Sequence, residues 1–214
     1  MPDDQHLIDG SADAPVTVIL AHGAGAPMDS PFMQAFGDGL AKQGLRCVRF
    51  EFPYMAERRV SGKKKPPNRM SILMEYWHDV VNTYRQTPLV IGGKSMGGRV
   101  ASMITAELDI AGNPIAGLAC LSYPFHPPGK PENLRLDHFA DLKTPTLILQ
   151  GTRDPFGTRE EVDGFILPPC VRIHWLEDGE HGLKPRKKSG RTEQQNWQEA
   201  IDTLAAFALR SAGV

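Results

Sequence analysis

Apolar positions recur along the chain in two periods. Val16 to Ala21, Leu45 to Phe52, Leu89 to Gly92, Ile115 to Leu121, Thr146 to Gln150 and Val171 to Leu176 are short, nearly continuous apolar runs, the pattern of strands buried on both faces. Between or after them, Pro31 to Gln43, Arg69 to Tyr84, Met96 to Leu108 and Glu193 to Leu209 carry apolar residues at helical spacing. In the first of these helices Phe32, Phe36 and Leu40 form a stripe, with Ser30 placed as its cap. In the second, Ile72, Tyr76 and Val80 share a face beside Leu73, Trp77 and Val81, and the last presents Trp197, Ile201, Leu204 and Ala208. Strands separated by helices predict an α/β fold with a mostly parallel central sheet and helices on both faces. No repeat or compositional break interrupts the 214 residues, so one domain over residues 1–214 is expected. The connections at 53–68 and 122–143 carry no long helical pattern and leave strands toward the end of the sheet where such folds bind ligands.

Composition narrows the classes. The longest apolar run, Ile115 to Leu121, is far too short to span a bilayer. The opening Met-Pro-Asp-Asp-Gln-His lacks the basic head and apolar stretch of an export signal, so cytoplasmic residence is expected. Cys47, Cys120 and Cys170 lie in or beside apolar segments and read as free buried thiols. A net charge of -1 removes general attraction to nucleic acid. The cations are nevertheless clustered at 58–69 and 184–191, without an acid in either stretch. These clusters read as solvated loops or as an electropositive rim for an acidic substrate or partner. No metal site or cofactor is expected, because the histidines form no short ligand cluster with cysteines or acids.

The densest chemical signal is Leu89-Val90-Ile91-Gly92-Gly93-Lys94-Ser95-Met96-Gly97-Gly98-Arg99. Gly93-x-Ser95-x-Gly97 between an apolar strand and a helix has the spacing of a nucleophile elbow, which projects a serine hydroxyl clear of the backbone. Gly93 and Gly97 relieve crowding at the turn, and Gly98 lets the helix start close to the sheet. A phosphate-loop reading of Gly93-Lys94-Ser95 fails because Pro88 stands where that motif needs glycine. A serine needs a base, and the base an orienting acid. Asp154, in the turn after Thr146 to Gln150, and His181, after Val171 to Leu176, follow Ser95 in the chain order expected of such a sheet. Asp178 and Glu180 are rival acids by nearness alone. Met96 and Ala24, or Gly25 in its place, are the candidate amide donors to a developing oxyanion. In His22-Gly23-Ala24-Gly25 the histidine is expected to fix the loop and not to act as a base. Tyr123, Phe125, His126 and Lys94 are candidate substrate-lining residues.

These motifs, from His22-Gly23-Ala24-Gly25 through Gly151-Thr152-Arg153-Asp154 to His181, resemble the α/β-hydrolase superfamily. In detail they look like the predicted hydrolases related to testis-expressed protein 30 and to subunit 3 of the non-specific lethal chromatin complex, akin to dienelactone hydrolases. The resemblance implies an α/β-hydrolase fold, with Ser95 as nucleophile, Asp154 as acid, His181 as base, and Met96 with Ala24 as oxyanion donors. It implies a serine-dependent hydrolase of carboxylic esters or thioesters, without assigning a substrate. The short 122–143 connection leaves no room for a large cap, so an open site for small to medium acyl groups is expected. One relative in that family looks like a scaffold, so the competing expectation is a non-catalytic binding protein on the same fold.

Overall fold

A computed structural model describes residues 6–214. Its sheet holds seven strands: β1 (His6–Asp9), β2 (Thr17–Ala21), β3 (Arg46–Phe50), β4 (Leu89–Lys94), β5 (Gly117–Leu121), β6 (Thr146–Gly151) and β7 (Val171–Leu176). The spatial order is β1-β3-β2-β4-β5-β6-β7, and every pairing except β1 with β3 is parallel. Six helices, α1 (Pro31–Lys42), α2 (Pro53–Ser61), α3 (Met70–Tyr84), α4 (Met96–Ile110), α5 (Arg159–Val162) and α6 (Glu193–Ala212), complete the fold. None of the described helices is long and apolar enough to cross a membrane.

Alternation along the strands divides the core in two. From β2, Val18 and Leu20 join Phe36, Leu40, Ile201 and Leu204 beneath α1 and α6. Ile19 and Ala21 point the other way, to Phe50, Trp77, Val100 and Ile104 beneath α3 and α4. Burial on both sides is the physical reason that these strands lack polar alternation.

Some sequence expectations need correction. Ser30 stands at the N-cap of α1 but makes no side-chain cap bond; Pro31 at the first position needs no N–H partner, and the Ser30 residue faces a cleft described below. On α3 the buried stripe is Leu73, Trp77, Val80 and Val81, with Ile72 turned outward. β1 was not expected; its four residues gain their order from pairing with β3 and from the Asp9 carboxylate, which meets the buried Arg49 at 2.8 Å. α2 occupies the connection expected to lack a long helix, and it buries only Tyr54 and Met55.

Candidate active site

Chain order reverses between β2 and β4. β3 was added on one side of β2 and β4 on the other, which opens a crevice beyond the carboxyl ends of these two strands. The loop after β2 carries His22 to Ala26, and β4 ends at Lys94, directly before Ser95 at the N-cap of α4.

Ser95 has φ 51° and ψ −114°, a conformation that non-glycine residues rarely adopt. Tight packing holds it there. A Cβ on Gly93 would lie 2.3 Å from Ala21 O, and one on Gly97 would lie 2.6 Å from both Ala21 O and His22 O. Ser95 N–H donates to Leu121 O at 2.9 Å, tying the elbow to β5. By contrast, a Cβ at Gly25 would meet nothing within 4 Å and one at Gly23 only ordinary contacts, so neither glycine of this loop is demanded by packing.

Three loops meet at the serine. Ser95 Oγ is 2.9 Å from His181 Nε2, and His181 Nδ1 is 2.8 Å from Asp154 Oδ2. With Nδ1–H donating to the carboxylate, Nε2 is left as acceptor for the serine proton. Asp154 is fully buried, and its Oδ1 also accepts the Phe156 N–H at 2.9 Å, which fixes the carboxylate plane. The rival acids are occupied elsewhere. Asp178 pairs with Arg186 and Arg153, which hold its carboxyl down at about 2, while Glu180 accepts the Gly182 N–H at 2.6 Å.

The peptide planes of the β2 loop have a defined sense. His22 Nδ1–H donates to Gly23 O at 2.6 Å and Nε2 accepts the Phe52 N–H at 3.1 Å. Burial pushes the His22 pKa down, so the ring is neutral and both its nitrogens are occupied. Tyr54 Oη–H donates to Ala24 O at 3.0 Å. Since a trans peptide points its C=O and the next N–H in opposite directions, the Ala24 amide points away from the His22 ring that holds the Gly23 carbonyl. Ser95 O accepts the Arg99 N–H at 3.0 Å along α4, and the Met96 amide accordingly points out of the positive end of that helix.

A cleft of about 460 Å³ adjoins these groups. Its walls are mostly apolar, formed by Ala24, Phe32, Met33, Phe156 and Trp197, with Lys94 and Glu193 as charged members. The Phe156 ring lies 4.2 Å from the His181 ring, and Trp197 Nε1–H donates to Gly182 O at 2.9 Å. Both aromatics therefore brace the histidine loop. Phe156 was not anticipated as a wall, although its place two residues after Asp154 could have suggested it.

Three expected lining residues lie elsewhere. Tyr123 and Phe125 are wholly buried in the core, their rings 5.0 Å apart and Tyr123 Oη–H donating to Arg135 O at 2.7 Å. His126 is buried with them and bonds Pro127 O at 2.9 Å. In the 122–143 connection residues 122–126 are buried, 128–134 are exposed and the Asp137–Asp141 turn packs on α4; none of it lines the cleft. The cationic stretches at 58–69 and 184–191 do not line it either. Arg59 pairs with Asp29 and Glu51, Lys65 with Glu57, Arg186 with Asp178 and Arg191 with Glu199. Of the cationic candidates only Lys94 reaches the cleft; its Nζ donates to His181 O.

Known proteins with this architecture share its extent. Dienelactone hydrolase from Anabaena variabilis is 17% identical with a TM-score of 0.70, over 96% of this chain and 90% of that one. A serine hydrolase without lid from Xanthomonas campestris is 18% identical, TM-score 0.61, over 96% and 86%. An esterase domain from Rhodothermus marinus is 15% identical, TM-score 0.66, over 95% and 91%. At such identities the likeness is one of fold. A family model described as an alpha/beta hydrolase domain matches residues 14–209, and the chain belongs to that family.

Proposed function

We propose that this protein is a serine hydrolase that cleaves carboxylic esters or thioesters of small to medium size through an acyl-enzyme, acting as one domain without cofactor or metal. The observation that carries this reading is the unbroken hydrogen-bonded line from Ser95 Oγ through His181 to the buried Asp154. Ser95 attacks the carbonyl carbon as its proton passes to His181 Nε2. Negative charge gathers on the carbonyl oxygen beside the Met96 and Ala24 amides, which donate to it. Collapse breaks the bond to the alcohol or thiol, which leaves with the His181 proton, and the acyl group remains on Ser95. Water then gives a proton to His181 and its oxygen to the acyl carbon, releasing acid and restoring the serine. Asp154 stays ionised and stabilises the imidazolium throughout.

The absence of a cap and the cleft volume support short or medium acyl groups. The quoted motifs also support a place beside the hydrolases that resemble testis-expressed protein 30. Three unpaired cysteines support a reducing, cytoplasmic setting. Stopped-flow hydrolysis of p-nitrophenyl acetate and butyrate tests the chemistry. A burst followed by steady turnover, both abolished in Ser95→Ala, is the expected result. Turnover that survives Ser95→Ala, or no turnover by folded protein, contradicts it.

A further inference from the structure

Lys94 is in an unusual electrostatic position. It directly precedes the nucleophile, with Cα atoms about 3.8 Å apart, and its side chain is half-buried against the mostly apolar cleft. One Nζ–H is given to His181 O, and the ammonium stands 5.4 Å from the centre of the Phe32 ring. Among the described residues no carboxylate lies within ion-pair distance of it. A desolvated cation with a neutral acceptor and a ring face, but no counter-ion, is costly to hold. Burial accordingly lowers its pKa to about 8, against the opposing pull of Asp154 and Glu180.

We propose that the cleft selects esters or thioesters that carry a second, anionic group a few bonds from the scissile carbonyl, with the Lys94 ammonium as its receptor. This rests on the hydrolase reading and names the substrate class for the same site. The anion supplies the missing counter-ion against mostly apolar walls, through a charge-assisted hydrogen bond. The remaining walls suit the apolar carbons between the two groups. Glu193, at the first turn of α6, is the opposing charge in the cleft, so the anion belongs on the elbow side and not against α6. The groups facing Lys94 are His181 O, Asp154 and Glu180 from the loops after β6 and β7, Glu193 from α6 and the Phe32 ring from α1.

Two matched pairs test this with the full chain: monomethyl glutarate against methyl pentanoate, which places the anion on the acyl side, and 4-acetoxybutanoate against pentyl acetate, which places it on the alcohol side. A cationic analogue, the methyl ester of 5-aminopentanoate, completes the set. At neutral pH, kcat/KM for the anionic member of one pair should exceed that of its neutral partner by about tenfold. The ratio should collapse to near unity in Lys94→Met, persist in Lys94→Arg, and rise in Glu193→Gln. Equal rates in the wild type, a ratio that survives Lys94→Met, a preference for the cationic ester, or equal loss on both members of each pair overturns the proposal. Equal loss would make Lys94 only a clamp on the His181 loop. If no ester is turned over, neutral ones included, the hydrolase reading fails separately. Thermal stabilisation by glutarate, present in the wild type and absent in Lys94→Met, then still supports the anion receptor, and no stabilisation overturns it.

Discussion

Gly97→Ala isolates the contact on which the position of Ser95, the proposed nucleophile, depends. The added methyl would sit 2.6 Å from the backbone oxygens of Ala21 and His22, where a carbon–oxygen contact is comfortable only from about 3.3 Å. Neither oxygen is on a flexible side chain, so the start of α4 must withdraw from the end of β2 by roughly 0.7 Å, the difference between these two distances. Overpacking of this kind costs about 1–3 kcal/mol, and the better helix propensity of alanine returns at most about 1 kcal/mol. The net loss of up to about 3 kcal/mol that these two terms leave corresponds to a fall in Tm of up to roughly 12 °C for a chain of this size. The effect on chemistry should be larger, because the same shift moves Ser95 Oγ and the Met96 amide together, and displacement on that scale costs on the order of 100-fold in rate. Calorimetry with kcat and KM on a short ester reads both quantities. The expected signature is a modest drop in Tm, a large drop in kcat and little change in KM. A stability loss of the expected size with kcat unchanged would refute the claim that this packing positions the reacting atoms.

Other outcomes follow from the same geometry. Asp154→Asn should lower kcat on the order of 10³- to 10⁴-fold with the circular dichroism spectrum preserved, since an amide would favour the wrong tautomer of His181. Trp77→Ala, at a wholly buried ring 4.7 Å from Phe50, should lose about 3–5 kcal/mol in urea unfolding. Asp178, held down at about 2 by Arg186 and Arg153, contributes stability that is complete above the ordinary carboxyl value and is lost as pH falls through about 2. The Tm difference between wild type and Asp178→Asn should therefore be largest at neutral pH and vanish in strong acid. With Lys94 brought to about 8, preference for an anionic ester should fade as the pH rises from about 7 to about 9, and rates measured on paired esters across that range check it.

Much of this architecture was legible from residues alone. Helices such as Pro31–Lys42 and strands such as Val171–Leu176 announce themselves because burial imposes a period on the chain. The placement of Asp154 and His181 followed from a topological constraint: parallel strands put their following loops at one end. β1 gave no comparable signal, since His-Leu-Ile-Asp is ordered by its partner strand and by Arg49, both distant in sequence. α2 buries too little for a stripe. The expected walls at Tyr123, Phe125 and His126 failed because a proline-rich connection after a strand can fold inward as readily as over a crevice. Phe156 and Trp197 became walls through tertiary packing against His181 and Gly182, which no local pattern encodes.

The central claim is that Ser95 is an activated nucleophile, and covalent labelling tests it most directly. Incubation with a fluorophosphonate followed by peptide mapping should find one phosphonyl group per chain on Ser95, with labelling lost in Ser95→Ala and strongly slowed in His181→Ala. Folded protein that remains unlabelled, or a label on another residue with Ser95 untouched, would contradict the account.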